Sequence, residues 1–429
     1  DITARNDWSS TLPAGNRSYF YPSFSGSAVL SDMLDFQSGT LPYLKVRASW
    51  AQVGNDTDPY STVQVYQAED PWGATTSFSE NNLIYNPSLR PEITRATEAG
   101  VEARLFGSRV NLEVTYYTKT TFDQILRANV PQSSGYFNTI INAGEIRNSG
   151  WEVELSGSPI RSADFRWDVT VNYARNKSEV VDLGGLPNYQ INTGALLRNV
   201  ILEARPGYPY GNFYGTYYRR DPAGNMIFDS NGYPAMSSDR KVVGNVMPKW
   251  TGGIQNSFTY KFLTFSTLFD MRVGGQLFAH SVNIGRYTGV LAETLAGREG
   301  GIVGAGVVEV KNPDGSLTYQ PNTTRVALPE DYYHNFYNRN NNEAYMFDAD
   351  FVKWREARLS VTLPNKWFGR TPLRGVTLSV VGRNLALLYS KVPHIDPETS
   401  FYGDGNVQGF ENGNLPSARS IGFNLGFNL

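Results

Sequence analysis

The residues most often used in catalysis and metal binding are sparse in this sequence. It contains three histidines, His280, His334 and His394, and no cysteine. The histidine spacing matches no zinc motif, and without cysteine there are no thiolate ligands, thiol nucleophiles or disulfides. The glycines at Gly300-Gly301 are not followed by the Lys-Ser/Thr pair of a phosphate-binding loop. We therefore expect no catalytic residue, no metal site, no cofactor and no enzymatic activity.

Two oxygen-rich segments could bind calcium, Asn55–Asp58 and Asp229–Gly232. Counted from Asp229, the closing position of a calcium loop is Arg240, which has the wrong charge. Counted from Asp58, Val63 occupies the position that requires glycine. Asp and Asn also favour tight turns without any metal, so we favour turns and leave calcium in the loops open.

Aromatic residues in long polar segments are the better candidates for ligand contact. An aromatic ring offers an apolar face to a sugar or a peptide, and neighbouring Asn and Asp side chains offer hydrogen bonds. The alternative is that these rings pack loops together or dock a partner protein. The candidate ligand-binding residues are Trp72, Tyr208, Tyr210, Tyr214, Tyr332 and Tyr333.

The C-terminal segment 421–429 shows which elements would position these loops. Ile421, Phe423, Leu425, Phe427 and Leu429 alternate with Gly or Asn. Successive side chains of a strand point to opposite faces, so this strand has one apolar face and one small, polar face. A transmembrane β-barrel needs such strands, apolar toward lipid and polar toward the lumen.

The same alternation recurs through the chain. The clearest hairpin joins Thr97–Phe106 to Arg109–Thr118 through a tight turn at Gly107-Ser108. Short and long connections alternate, which is the barrel pattern. Further predicted strands are Tyr19–Leu30, Leu44–Val53, Trp151–Leu155, Phe165–Tyr173, Trp250–Tyr260, Leu263–Val273, Asp350–Leu363 and Val376–Arg383.

Composition agrees with a large β-structure. The 429 residues include 41 Gly, 26 Tyr, 23 Phe and 8 Trp, and only 18% are charged. A mean hydropathy of −0.37 and the lack of a long apolar run exclude a membrane-spanning helix. A net charge of −2 argues against nucleic acid as a partner.

About eleven strands are predicted, an odd number that would leave unpaired sheet edges. The first residues, Asp1–Arg17, resemble a loop, and Asp1–Ala4 lack the basic and apolar regions of a signal peptide. We therefore expect an N-terminal portion of the barrel to be missing from this chain.

Several segments, in order along nearly the whole chain, resemble SusC/RagA-type TonB-dependent outer-membrane transporters. They are Arg5–Ser10, Tyr19–Ser23, Lys45–Asp56, Asn86–Glu92, Glu98–Glu102, Tyr116–Lys119, Asn148–Glu152, Pro248–Trp250, Gly382–Leu385 and Asp396-Pro397-Glu398. The resemblance implies an all-β fold, an antiparallel transmembrane β-barrel with long extracellular loops. This chain, residues 1–429, would be the C-terminal half, about 11 of about 22 strands, without the N-terminal plug and first strands.

The resemblance also implies a function and partners. It implies an integral protein of the outer membrane of a Gram-negative bacterium that imports an oligosaccharide or a peptide. A SusD-like surface lipoprotein would form a lid, the TonB complex would act through the missing N-terminal part, and lipid would surround the barrel. Such barrels end in a signal for membrane assembly, here Phe423, Phe427 and Leu429.

One alternative from another class remains open, a soluble secreted β-protein such as an adhesin or a carbohydrate-active protein. The two readings differ in whether every strand has a charge-free apolar face. Most predicted strands have such a face, but Asp350–Arg358 carries charged residues at both odd and even positions, and so on both faces: Lys353, Arg355, Glu356 and Arg358. For the barrel, we expect this segment to lie above the membrane and to enter it at Leu359.

Overall fold

The computed structural model describes residues 1–35, 38–192, 200–364, 375–403 and 405–428. Its main element is one antiparallel sheet of twelve strands, in which strands adjacent in the chain order of the sheet are hydrogen-bonded to each other. We number these strands β1–β12 in chain order: Ile2–Trp8, Ser18–Val29, Tyr43–Asn55, Glu92–Leu105, Val110–Phe122, Glu145–Arg161, Phe165–Asp182, Trp250–Tyr260, Leu263–Val273, Phe351–Leu363, Gly375–Ser390 and Ser420–Asn428. The predicted all-β, antiparallel architecture is confirmed.

The first strand corrects one sequence expectation. Asp1–Arg17 was expected to be loop-like, but Ile2–Trp8 forms β1 and pairs with β2, with Ile2 opposite Phe24. This strand is only seven residues long, and Asn6 interrupts its apolar alternation, so the period-two signal was too weak to detect. The sheet therefore has an even number of strands.

One end of the sheet carries the short turns. Gly107-Ser108 joins β4 to β5, as predicted, and Lys261-Phe262 joins β8 to β9. Phe106, Ser108 and Lys261 adopt positive φ angles between 52° and 64°, the backbone conformation that such tight turns require. Of the predicted connection Pro364–Gly375, residues 365–374 lie outside the described residues.

The strand register produces one continuous apolar face, which we call the outer face. Directly opposed residues form a row across neighbouring strands: Ala103, Leu112, Leu155, Val171 and Ile254. The next position along each strand belongs to the other, inner face and is polar or small: Glu102, Glu113, Glu154, Asn172 and Gly253. The apolar side chains of β12, from Ile421 to Phe427, are 58% to 80% exposed. An exposed apolar face this extensive is what lipid, rather than water, would cover.

A bulge in β10 resolves the charges that did not fit the alternation. The register with both neighbouring strands shifts at Arg355, between Trp354 and Glu356. The extra residue places all four charged side chains on the inner face: Lys353, Arg355, Glu356 and Arg358. β10 pairs with both neighbours from Phe351 onward, so this segment is part of the sheet, and its position above the membrane stays a prediction.

Aromatic side chains border the outer face at both ends. Toward the long loops, Trp151 packs on Tyr116 with ring centroids 4.8 Å apart, and Trp250 packs on Tyr173 at 5.7 Å. Toward the short turns, Trp167 stacks on Phe258 at 5.9 Å. Two aromatic belts flanking an apolar band match the interfaces of a membrane.

The long loops, rather than the sheet, contain the buried core. Phe213, Phe278, Tyr345 and Phe410 come from three different loops, and each is under 2% exposed. No helix in the described part of the chain is long and apolar enough to cross a membrane.

The loops build this core from short elements. The loop strands are Tyr66–Trp72, Thr75–Glu80, Leu83–Ile84, Ile125–Asn129, Asn138–Asn142, Tyr189–Asn192, Ile201–Ala204, Asn212–Gly215, Ile227–Phe228, Lys241–Asn245, Gln276–Ala279, Ile302–Val303, Val307–Lys311, Leu317–Pro321, Arg325–Val326, Met346–Asp348 and Phe410–Glu411. The α-helices are His280–Tyr287 and Pro329–Phe336, with a third, Leu30–Met33, at the short-turn end. The 3₁₀ helices are Gln132–Ser134, Ala292–Leu295 and Asn342–Tyr345.

Candidate functional site

A charged network fixes the last long loop to the inner face of the sheet. Lys353 of β10 is 4% exposed, and its ammonium lies 2.6 Å from Asp396 and 2.5 Å from Glu398 in the loop. Arg355 bonds to Glu398 and to Asp270 of β9. Burial alone would raise the pKa of Asp396, but hydrogen bonds from Lys353 and Ser417 lower it to about 2. The loop is thus held by paired, desolvated charges, and removing one partner would leave another charge buried alone.

A cavity of about 360 Å³ lies on the inner face beneath the loops. The strands contribute Glu92, Lys119 and Asn148, and the loops contribute Tyr189 and Tyr210. Burial raises the pKa of Tyr210 to about 12, so its hydroxyl remains protonated and able to donate a hydrogen bond. Among the described residues Lys119 has no ion-pair partner. The cavity therefore combines an aromatic wall, a free ammonium and a carboxylate, a set suited to a polar ligand.

A second cavity, of about 540 Å³, lies within the 274–350 loop and is lined by Tyr333, Tyr287 and His334. Tyr287 and His334 stack with centroids 4.2 Å apart. The Tyr333 hydroxyl donates to the carbonyl oxygen of Ala296 at 2.9 Å. Tyr332 is 7% exposed and packs in a cluster around Phe228, and burial raises its pKa to about 12. Tyr333 is 8% exposed, and both tyrosines remain predicted ligand contacts.

The two tyrosines flanking Tyr210 have different surroundings. Tyr208 is 44% exposed at a turn whose backbone bonds to Val180 of β7. Tyr214 lies under the guanidinium of Arg205, 4.8 Å from the ring centroid. Arg205 in turn donates to the fully buried Glu203 at 2.8 Å. Tyr208 therefore presents a free ring, whereas the Tyr214 ring already has a cation on one face.

Trp72 lies on a projecting hairpin formed by Tyr66–Trp72 and Thr75–Glu80. It is 87% exposed, and Tyr66 and Phe78 on the same hairpin are 71% and 63% exposed. Isolated two-stranded hairpins are marginally stable, and exposed aromatic clusters mark interaction sites. The structure thus separates Trp72 from the Tyr210 cavity, so the six predicted contacts do not form one site.

The predicted assembly signal is at the edge of the sheet. Phe423 and Phe427 lie on the outer face of β12, opposite Val380 and Val376 of β11. They are 80% and 58% exposed. Leu429 lies outside the described residues.

Side chains of both oxygen-rich segments accept hydrogen bonds within the protein, those of Asp229 in a turn and those of Asp56 from residues distant in sequence. Asp229 accepts hydrogen bonds from the backbone N–H groups of Asn231 and Tyr233, both at 2.9 Å. The carboxylate of Asp56 accepts from Ser9 and Thr11. Within the described ranges no three His, Cys, Asp or Glu side chains are grouped as a metal site.

Sequence reasoning missed Lys119, Asn148 and Lys353 as site residues. On a period-two strand they are simply polar inner-face positions, and nothing local separates them from their neighbours. The Asp396-Pro397-Glu398 motif was noted, but its partner Lys353 lies 43 residues away in sequence. The available signal was the set of charges in β10 that did not fit the alternation: Lys353, Arg355, Glu356 and Arg358.

Comparisons with known proteins agree with this geometry. Residues 1–290 match the family described as TonB dependent receptor-like, beta-barrel. TonB-dependent receptor P26 of Formosa agariphila is 29% identical over 461 residues, covering 100% of this chain and 44% of that protein. TonB-dependent receptor SusC of Bacteroides thetaiotaomicron is 26% identical over 289 residues, covering 62% of this chain and 28% of that protein.

A solved structure shares the fold. The RagAB peptide importer in its closed-closed state superposes with a TM-score of 0.74 at 22% identity, covering 100% of this chain and 45% of that chain. The chain therefore spans less than half the length of these relatives.

Proposed function

Because this chain belongs to the TonB-dependent receptor β-barrel family and is an integral outer-membrane protein, we propose that it forms part of the wall of a SusC/RagA-type nutrient importer. We propose that residues 1–429 correspond to the C-terminal portion of the barrel. The plug and the first strands would come from sequence outside this range. The 44% share of the P26 receptor supports this assignment.

The cargo proposed here is an oligosaccharide or a peptide. The observation that carries the proposal is the 360 Å³ inner-face cavity, where Tyr210 and Tyr189 face Lys119, Glu92 and Asn148. Rings of this kind cover the apolar face of a sugar or a peptide side chain, and the charged groups orient its polar edges. The RagAB protein is a peptide importer, which supports the peptide alternative without excluding the other.

A SusD-like surface lipoprotein is the proposed lid. The hairpin bearing Trp72 supports this partner, because its exposed aromatics pack against little else in the described part of the chain. A lid docked on this hairpin would cover the loop end of the barrel. Energy would come from TonB acting on the plug, and we assign the barrel wall no catalytic role.

Binding and uptake measurements test the proposal. The full-length protein, purified in detergent with its lipoprotein partner, is titrated with a neutral oligosaccharide series and with an oligopeptide series. We expect one series to bind, and Tyr210→Ala to weaken binding about five- to tenfold through loss of ring contact. Tyr260→Ala, at the short-turn end, is the matched control and should not change affinity.

Uptake of the bound series should also stop when the TonB gene is deleted. Import that persists without TonB would contradict a TonB-linked importer. Binding of neither series, or equal effects of the two tyrosine substitutions, would contradict the assignment of the cavity.

A further inference from the structure

We propose that a cleft at the short-turn end of the sheet binds an oxyanion, a phosphate or carboxylate group. This cleft, which we call the arginine cleft, has a volume of about 740 Å³ and is bordered by Arg109, Arg161 and Arg166. It lies at the opposite end of the strands from the loop cavities. The inference is independent of the proposed import function and assigns a second site.

The strand register places the arginines together on the inner face. Arg161 of β6 is directly opposite Arg166 of β7, next to the outward-facing pair Ile160 and Trp167. Arg109 precedes β5, and its carbonyl oxygen accepts from the N–H of Ser158 in β6 at 2.9 Å. Like charges directly opposite each other in an antiparallel pair are destabilising. A bound anion would convert this repulsion into attraction.

The cleft lacks the carboxylates that would neutralise it. Its lining includes three guanidinium groups and one carboxylate, Asp168. Asp168 is already engaged by Nε of Arg166 at 2.8 Å and by the hydroxyl of Ser158. Within the part of the chain that the structure describes, Arg109 and Arg161 have no ion pair and no side-chain hydrogen bond. Two charged, donor-rich side chains are therefore available to a ligand.

A bulge gives the cleft a polar floor. The register of β6 against β7 shifts between Gly157 and Ile160. At Gly157 a Cβ would lie 2.8 Å from the carbonyl oxygen of Arg109, so only glycine permits this close approach. The floor beside it carries the amide of Asn111 and the hydroxyl of Ser156. These groups can donate to an oxyanion that the arginines hold.

The side chains determine the ligand class. The planar fork of a guanidinium matches the paired oxygens of a carboxylate or a phosphate, and such charge-assisted bonds are stronger than neutral ones. The arginines face inward, whereas the lipid-facing side at this level carries Trp167 and Phe258. The ligand therefore approaches from the mouth of the barrel at the short-turn end, and not from the bilayer.

Calorimetric titration of the full-length protein in detergent tests the proposal. The probes are inorganic phosphate and succinate, in about 0.15 M salt to screen diffuse charge. We expect the wild type to bind at least one probe, and the tighter probe to show whether phosphate or carboxylate is the preferred group. Arg161→Gln, which breaks no ion pair or side-chain hydrogen bond seen in the structure, should weaken binding about tenfold, and Arg161→Lys should weaken it less.

Arg175→Gln is the matched control. Arg175 is on the same strand as Arg166, but it lies on the outer face, opposite Trp151 and toward the other end. Gel mobility before and after heating verifies that each variant is folded. The proposal is overturned if neither probe binds the wild type, if Arg161→Gln binds as tightly as the wild type, or if Arg175→Gln loses binding equally.

Discussion

The cost of placing a charge on the outer face can be worked out at Ile254 of β8. Ile254 is opposite Val171 and Phe269 on the outer face, whereas its neighbour Gln255 is opposite Thr170 on the inner face. The pair Ile254→Arg and Gln255→Arg therefore places the same side chain at the same depth on opposite faces. Only the first variant should place the charge in lipid.

The depth of Ile254 sets the magnitude. β8 runs from Trp250 to Tyr260, 11 residues. Its ten intervals of ~3.4 Å, tilted by ~40°, rise ~26 Å, close to the ~25 Å apolar band of such barrels. Ile254 lies near the middle of this span, where an arginine facing lipid costs about 2–4 kcal/mol. With a urea dependence of about 2 kcal/mol per molar, the unfolding midpoint should fall by about 1–2 M.

Urea unfolding of the full-length protein in lipid vesicles, followed by tryptophan fluorescence, measures this difference. Gln255→Arg should leave the midpoint nearly unchanged, because the inner face is polar and hydrated. Equal midpoints for the two variants, or a larger loss for Gln255→Arg, would refute the assignment of the faces.

Four further predictions concern assembly, the short-turn belt and the loop network. Phe427→Asp should impair membrane assembly, and normal insertion judged by heat-dependent gel mobility would contradict this. Trp167→Arg should lower the urea midpoint more than Asp168→Arg, because Trp167 faces lipid and donates a hydrogen bond to Asn256 at 3.1 Å. A larger loss for Asp168→Arg would contradict the assignment of these two residues to the outer and inner faces. Lys353→Met should cost about 3–5 kcal/mol, since it leaves the buried Asp396 carboxylate without its cation, and an unchanged unfolding midpoint would argue against the network. The pKa of Asp396 is lowered in the folded state to about 2. The stability that the ionised Asp396 contributes should therefore be complete above about pH 4 and lost as the pH falls through 2. A wild-type urea midpoint that does not fall over this pH range would contradict this role of Asp396.

Strand pairing was largely predictable, because the period-two pattern of a lipid-facing strand can be recognised in a short stretch of sequence. The hairpin around Gly107-Ser108 formed as predicted. β1 was not predicted, since seven residues with one polar interruption carry too little pattern. The bulge at Arg355 could not be predicted either, because a register shift depends on the neighbouring strands as well as on the sequence of the bulged strand.

The candidate site was less predictable than the fold. Aromatic content directed attention to the long loops, but sequence could not tell the exposed Trp72 from the buried Tyr332. That distinction depends on which loops pack together, and the contacts of the loop core join residues far apart in the chain. Lys119 and Lys353 gained their significance only from neighbours brought close by folding.

We conclude that this sheet is a barrel wall with its outer face in lipid. Nitroxide labels placed one at a time at positions 353 to 361 of β10 in the full-length protein test it most directly. We expect high accessibility to oxygen dissolved in lipid at 354, 357, 359 and 361, and low accessibility at 353, 355, 356, 358 and 360. Low accessibility at the two consecutive positions 355 and 356 would identify the bulge. Unbroken alternation through 355 and 356, or uniform accessibility along the strand, would contradict the account.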